Sequence, residues 1–566
     1  MSTIIQKKRG SLVLPDLHRY LIIRLLTFLF AICSFFSARA DKYPKNPAID
    51  IRNYSFNITL SDNTNEILAT ATIRILFKKD GIAQVRLDFI NQKDSLNGKG
   101  MMVESVYEGE KGIKFSHIND VLFISLATPS LAGKERQFII HYHGIPAKGL
   151  IIGPDKNGDR SFFSNDWPNL GRNWLPLVDH PYDKATCEFI ITAPACYQVI
   201  SNGLKIEETD LEGNKRLTHW KQSVPISSWL FVLGVAKFSV RRAKTYDGKS
   251  IQTWIYAKDR KAGFYDFDET TIKVLRFFSD YIGPYVYEKL ANVEASHVGG
   301  GMETASAIYY DDKIMNGESD VRLREVIIHE IAHQWFGNTI TEYDWDHVWL
   351  SEGFATYFTL LYNEHAYGHD EFVTGLMNAR NRVFEFYKSN PAYSIIHDNT
   401  AEEKEVTTIQ TYQKGAWILH MLRNLIGDEA FQNGIQTYYQ GFLNSTATTE
   451  DFKSEMEKAS GKELSLFFRQ WLYLGGNVIL KGKWKYDRSA GALNIQLDQE
   501  QNDGFTFDIP VEIGIFQDNK LLPLIRKIHL DTLHGHFSIP VDARPEKVTI
   551  DPRTVLLAQW DLVEEK

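Results

Sequence analysis

The stretch that most limits what this chain can become is Val326-Ile-Ile-His329-Glu330-Ile331-Ala332-His333-Gln334-Trp335. On an α-helix, residues four apart lie one turn above each other on one face. His329 and His333 can therefore aim ring nitrogens at a single metal ion. Glu330 is the next residue round, beside the ion and not stacked beneath it. A carboxylate there can accept a proton from a water that zinc acidifies to a pKa of about 7. The pattern His-Glu-x-x-His is the helix signature of hydrolytic zinc sites. Ser319 and Asp320 are suited to cap the helix start, Val326, Ile327, Ile328, Ile331 and Trp335 supply apolar positions, and Gly337-Asn338 supplies a stop. Two imidazoles and a carboxylate in so apolar a segment would be costly to bury unpaired. A satisfied pair of core histidines is the alternative.

With 566 residues the chain exceeds what one core usually organises, and roughly two to four domains are expected. Its content, 43% hydrophobic and 24% charged, is that of a folded globular protein. A formal net charge of -8 and the lack of a dense basic stripe argue against nucleic acid as a partner.

The first forty residues stand apart. Lys7, Lys8, Arg9, Arg19 and Arg24 precede the apolar run Leu25 to Phe36, and Ala38-Arg39-Ala40 follows it. That basic, apolar, small-residue order is a signal peptide's, with cleavage expected after Ala40 and export to the periplasm or the exterior. If it stayed uncleaved, Leu21 to Phe36 would serve as a membrane anchor. Cys33 falls in the removed segment, which leaves Cys187 and Cys196. One extended strand between them would hold them roughly 30 Å apart, so no disulfide is expected.

From Asp41 to Thr245 the pattern is β, as in Ile67-Leu-Ala-Thr-Ala-Thr-Ile-Arg-Ile-Leu-Phe77, with Gly, Asn and Asp turns between the runs. Arg172 to Pro181 is aromatic and proline-rich, a structural corner in preference to a pocket wall. Past a hairpin turn at Asp247-Gly248, helical segments dominate from Tyr265 to Leu474, including Ile409 to Ile426. Thr448-Thr-Glu-Asp451 predicts a capping box, and Gly475-Gly476 ends the last helix. From Val478 short alternating strands return, with a turn at Asp518-Asn519, enough for a small β-sandwich.

Glu352 supplies the third ligand. It follows His333 after eighteen residues, on the apolar segment Trp349 to Phe358, which predicts a second helix facing the first. Three protein ligands and one open position are what a hydrolytic zinc site needs. With His-Glu-x-x-His-x18-Glu-Gly in place, the sequence resembles the gluzincin peptidases of the aminopeptidase N and leukotriene hydrolase family. Gly300-Gly301-Met302-Glu303-Thr304 is similar to that family's Gly-x-Met-Glu-Asn motif, with Thr304 replacing the usual Asn. The resemblance implies that Glu303 binds the substrate's amino terminus and that the backbone of Gly300, Gly301 and Met302 runs beside the peptide as an edge strand. Tyr412-Gln413-Lys414-Gly415-Ala416 resembles the segment whose Tyr stabilises the tetrahedral intermediate. Arg172 to Thr186 and Ile200-Ser-Asn-Gly203 extend the match into the N-terminal part. Family members often carry a second amine-binding Glu or Gln five residues before that Arg, where this chain has Trp167; Asn165 or Asp166 would then take over part of the role.

The expected architecture is multidomain α+β. Residues 41–245 form a β-rich, saddle-like N-terminal domain, 246–476 a thermolysin-like, mainly helical catalytic domain, and 477–566 a C-terminal β-sandwich. Fewer than a hundred residues after Gly476 leave no room for the family's large helical fourth domain. The expected activity is that of a zinc aminopeptidase with one Zn2+ per chain, held by His329, His333 and Glu352, with Glu330 as base, Tyr412 at the oxyanion and Glu303 on the amine of a peptide substrate. The alternatives are a zinc endopeptidase or broader hydrolase in which Glu303 is no amine anchor, and a non-catalytic peptide-binding scaffold. The last would be marked by a lost ligand or base, and none is lost here.

Overall fold

Strict alternation builds the N-terminal part. In Ile67–Phe77 every second side chain is buried, from Ile67 and Ala69 through to Ile75 and Phe77, while Leu68 and Arg74 face out. A period of two is what a strand with one face on a core requires. This strand pairs antiparallel with Ile49–Thr59 and with Lys134–Ile145, and Ile49–Thr59 runs parallel to Lys184–Pro194 within an eight-stranded sheet. A four-stranded sheet that includes Gln198–Ser201 and Leu233–Ala236 and a smaller three-stranded sheet accompany it. The computed structural model describes residues 41–565 apart from 268–269, 319, 398–402, 502–504 and 518–521. The expected leader at 1–40 with Cys33, Ser319 of the helix cap and the turn at Asp518-Asn519 lie outside the described residues.

Arg172 to Pro181 is a corner. The Arg172 Nε donates to Asp179 Oδ2 at 2.9 Å, an Nη donates to the Asp179 carbonyl at 3.0 Å, and the Asp179 N–H is taken by Asp88 at 3.0 Å. Asp179 is wholly enclosed, so Arg172 is the cation that keeps its charge tolerable. Cys187 and Cys196 are free thiols, the first buried and the second exposed.

The boundary expected at residue 245 falls inside a hairpin. Phe238–Tyr246 and Lys249–Tyr256 pair across Asp247 and Gly248, which both take the left-handed conformation that a tight hairpin turn demands. Lys249–Tyr256 then runs parallel to Lys289–Ala295, and that strand to Ala307–Asp311. The change from β to helical character is thus not a break in the sheet, and the described residues from Asp41 onward pack as one unit. The last strand of this five-stranded sheet is Gly301–Met302, antiparallel to Tyr309 and Tyr310, so the Gly-rich motif is a sheet edge.

Val321–His333 packs against the Gly301–Met302 edge, flanked by Thr270–Tyr281 and Trp349–Tyr367, and Gly415–Ile426 and Thr449–Ser460 pack in turn on Trp349–Tyr367. Phe278, Trp335, Phe336, Phe354, Phe358 and Phe452 form their shared aromatic core. The capping box at Thr448 and Asp451 is present. Beyond Val478, strands form a four-stranded and a three-stranded sheet whose buried residues include Leu480, Leu493, Ile495, Val511 and Ile513. No helix among the described residues is long and apolar enough to cross a membrane.

Replacing Arg172 by Met leaves Asp179 buried without its cation, a loss expected to cost about 3 kcal/mol or more. Calorimetry should show thermal unfolding several degrees lower, and Arg172→Lys should recover only part of it.

Candidate metal centre

Both imidazoles rise from one helix, Val321–His333. Asp320 caps it by accepting the Leu323 N–H at 2.8 Å, and Leu323, Ile327, Ile328 and Ile331 anchor it in the core. The helix ends at His333 with Gln334 as its cap, ahead of the expected stop at Gly337-Asn338. Gly337 has another task. Its φ of +106° suits glycine alone, and a Cβ there would stand 2.2 Å from the Ser351 hydroxyl. That hydroxyl lies 3.0 Å from His333 Nδ1, beside the Phe336 carbonyl at 3.1 Å. A carbonyl can only accept, so Nδ1 carries the proton and Nε2 presents a lone pair.

Glu352 comes from the first turn of Trp349–Tyr367. Its Oε2 is 3.3 Å from His329 Nε2 and 3.2 Å from His333 Nε2, and the two nitrogens are 3.1 Å apart. A tetrahedral zinc with bonds of about 2.05 Å spaces its donors about 3.3 Å apart. The triangle therefore has the size of a zinc site. His333 is enclosed, whereas His329 stays one-fifth exposed (20%), which marks the open side.

The charges ask for a cation as well. Glu303, Glu330 and His333 form a second cluster with donor atoms within 4.8 Å of one another. Two carboxylates at such a distance repel by about 3 kcal/mol at an effective dielectric near 20. Burial and then Glu303 raise the Glu330 carboxyl well above its usual range, and one of its oxygens has no hydrogen-bond partner. Burial works against charge on His333, yet Glu303 and Glu352 outweigh it and push its pKa up to about 10. The reverse holds for Glu352, where burial is overcome by His333 and His329 and the pKa falls. Buried, mutually repelling carboxylates around two imidazoles fit a divalent ion.

Tyr412 arrives through a close helix crossing. A Cβ on Gly353 would come within 2.9 Å of the Gly415 Cα, so Trp349–Tyr367 and Gly415–Ile426 meet backbone to backbone. The turn before Gly415, Gln410–Lys414, is π-helical, a form that recurs at functional sites. It brings the Tyr412 hydroxyl 2.7 Å from Glu352 Oε1, to which it donates, and stacks the ring on His329.

Glu303 follows the edge strand and is buried beside Glu330. Burial, and the Glu352 charge after it, raise its pKa, with His333 acting the other way. Gly301 abuts Glu330, since a Cβ there would stand 2.2 Å from Oε1. The Met302 side chain is buried, which leaves its backbone as the part a peptide could meet. Thr304 donates to the Ala307 carbonyl and so closes the turn after Glu303.

Trp167 packs edge-on against Trp229 at 4.8 Å and Trp345 at 4.9 Å, so an aromatic cluster stands where the resemblance leads one to expect a carboxylate or amide. Asp166 does not replace it. Its carboxylate accepts from the Trp174 indole at 2.8 Å and belongs to the corner, where burial raises its pKa. Further residues that the motifs do not mark join the site. Ser351 backs His333, and Glu342 is a buried carboxylate with neither oxygen hydrogen-bonded, raised by burial and by Glu303 and Glu352. Gln334 was visible only as a polar residue directly after a ligand.

Residues 265–471 match the peptidase family M1 domain and residues 52–230 the peptidase M1 N-terminal domain. The chain belongs to peptidase family M1. Among its M1 relatives, glutamyl aminopeptidase of Mus musculus is 28% identical over 61% of this chain and 38% of its own. Probable aminopeptidase 2 of Sulfurisphaera tokodaii is 29% identical over 72% of this chain and 52% of its own. This M1 chain thus spans about two fifths to one half of the length of these relatives. The fold is similar to that of an M1 zinc metallopeptidase from Deinococcus radiodurans, with a TM-score of 0.64, 24% identity and coverage of 75% of this chain and 93% of that one.

Stripping divalent ions with a chelator should lower the unfolding temperature, and one equivalent of Zn2+ should restore it, with metal analysis reading one ion per chain. In His333→Ala the added zinc should bring no recovery.

Proposed function

We propose that the chain is a zinc aminopeptidase that removes residues from the free amino terminus of peptides. The observation that carries this reading is the buried Glu303 carboxylate, within 4.8 Å of the Glu330 and His333 donor atoms at the end of an open sheet edge. His329, His333 and Glu352 would hold the ion. Zinc bound there supplies Lewis acidity, which acidifies water and polarises a scissile carbonyl.

The remaining steps belong to the chain's own groups. Glu330 takes the proton of the attacking water and delivers it to the leaving amine. Tyr412 moves its hydrogen bond from Glu352 to the oxyanion as charge develops; a phenol suits this because it stays neutral, its pKa raised by burial and by Glu352. Glu303 accepts the substrate ammonium and sets the scissile bond one residue in. Gly301–Met302 offers backbone N–H and C=O groups along which an extended peptide can lie.

Trp167 leaves Glu303 as the sole amine ligand proposed, which favours a broader-specificity hydrolase as the second reading. Glu330→Gln should lower kcat by about 100-fold or more while zinc stays bound. Glu303→Ala should impair cleavage of free-amine peptides far more than that of amino-blocked ones. Equal losses on both would favour the endopeptidase reading.

Export is part of the same proposal, supported by the order of basic, apolar and small residues over 1–40. N-terminal sequencing of the secreted protein should begin at Asp41; an intact amino terminus in a membrane fraction would mean an anchor instead.

A further inference from the structure

The Ile200-Ser-Asn-Gly203 motif lies a hundred residues before Glu303 and has no part in the chemistry above. The fold nonetheless brings it against the turn that carries Glu303. Asn202 is 1% exposed. Its amide donates to the Ala305 carbonyl at 2.7 Å and to the Leu230 carbonyl at 2.9 Å, while its oxygen accepts the Val232 N–H at 2.8 Å. All three bonds hold Asn202 in one orientation. The next N–H, from Gly203, donates to the Ser306 hydroxyl at 2.8 Å. Only glycine serves at 203, since φ is +70° and a Cβ would stand 1.9 Å from the Lys221 carbonyl oxygen.

Gln334 grips the same turn from the metal side. Directly after the ligand His333 and equally buried, it accepts the Ser306 N–H at 3.0 Å and donates to the Glu303 carbonyl at 3.0 Å. Asn338 adds a second donor to that carbonyl at 2.5 Å. Lys289 closes the assembly, donating to the Ser201 carbonyl at 3.0 Å and the Ser306 carbonyl at 3.1 Å. Ser306 itself sits at φ +64°, a left-handed conformation costly for any residue but glycine, and these bonds hold it there.

We infer that Asn202 and Gln334 are positioning residues for amine recognition: they clamp the Glu303–Ser306 turn from two sides and fix the distance from Glu303 to the metal ligands. The clamp rests on Glu303 being the amine anchor. Its purpose follows from geometry, since a displacement of about 1 Å in a positioning group can cost about 100-fold in rate. Glu303 stands within 4.8 Å of both the Glu330 and the His333 donor atoms, so a small movement of the turn changes how it meets each of them.

The test compares inhibition by a dipeptide amide with inhibition by its desamino counterpart, using zinc-loaded full-length protein. The wild type should prefer the free amine. Asn202→Ala and Gln334→Met should each shrink that preference about tenfold, through a weaker amine-bearing ligand and a higher KM on aminoacyl reporters. Zinc content and affinity for the desamino ligand should hold near wild type. Should Asn202→Ala not fold, Ser306→Ala removes only one hydroxyl of the clamp and should shrink the preference several-fold. A preference retained in folded variants would overturn the clamp alone. A wild type indifferent to the amine would overturn the anchor and the clamp with it.

Discussion

The site depends on repulsion among carboxylates that the fold forces together. Glu303, Glu330 and Glu352 surround two imidazoles in a nearly enclosed space, and Glu342 adds a fourth buried acid close by. Glu330 has one oxygen and Glu342 both without a hydrogen-bond partner, because carboxylates accept and the neighbouring groups supply few donors. A divalent ion reverses the balance, and the surrounding structure is built to hold the anions in place until it binds. The Asp320 cap, the Phe336 carbonyl and the Ser351 hydroxyl all act on the orientation of one helix and one ring.

Glycines decide how closely the pieces meet. Gly353 and Gly415 let two helices touch at the backbone, which places the Tyr412 hydroxyl on Glu352. Gly337 leaves room for Ser351, and Gly301 leaves room for Glu330. Each of these lies next to, or opposite, a residue with a proposed chemical role. A site whose donors must lie about 3.3 Å apart cannot be assembled from side chains held off by intervening Cβ atoms.

The metal triangle was legible in the sequence because its information is linear. Spacing of four on a helix fixes His329 and His333, and Glu352 begins an apolar segment of its own. The strand alternation in Ile67–Phe77 and the capping box at Thr448 were equally local, and both stand in the structure. What could not be read is non-local. The hairpin across residue 245 joins strands that composition assigns to different regions, the Asn202 bonds cross a hundred residues, and the packing of Trp167 on Trp229 and Trp345 depends on three distant segments. Polar residues such as Gln334 and Asn338 carry no periodicity, so nothing in the pattern distinguished them from ordinary helix-end chemistry.

The π-helical turn at Gln410–Lys414 makes the placement of Tyr412 a matter of helical phase. An α-helix advances about 100° per residue, so removing one residue between Tyr412 and Gly415 would rotate everything before it by about that angle while Gly415 stayed at its crossing. The phenol would leave the face that meets Glu352. Substitutions elsewhere in the turn preserve the count, whereas a change of length moves Tyr412 itself. Tyr412 apart, the segment is therefore less sensitive to identity than to number.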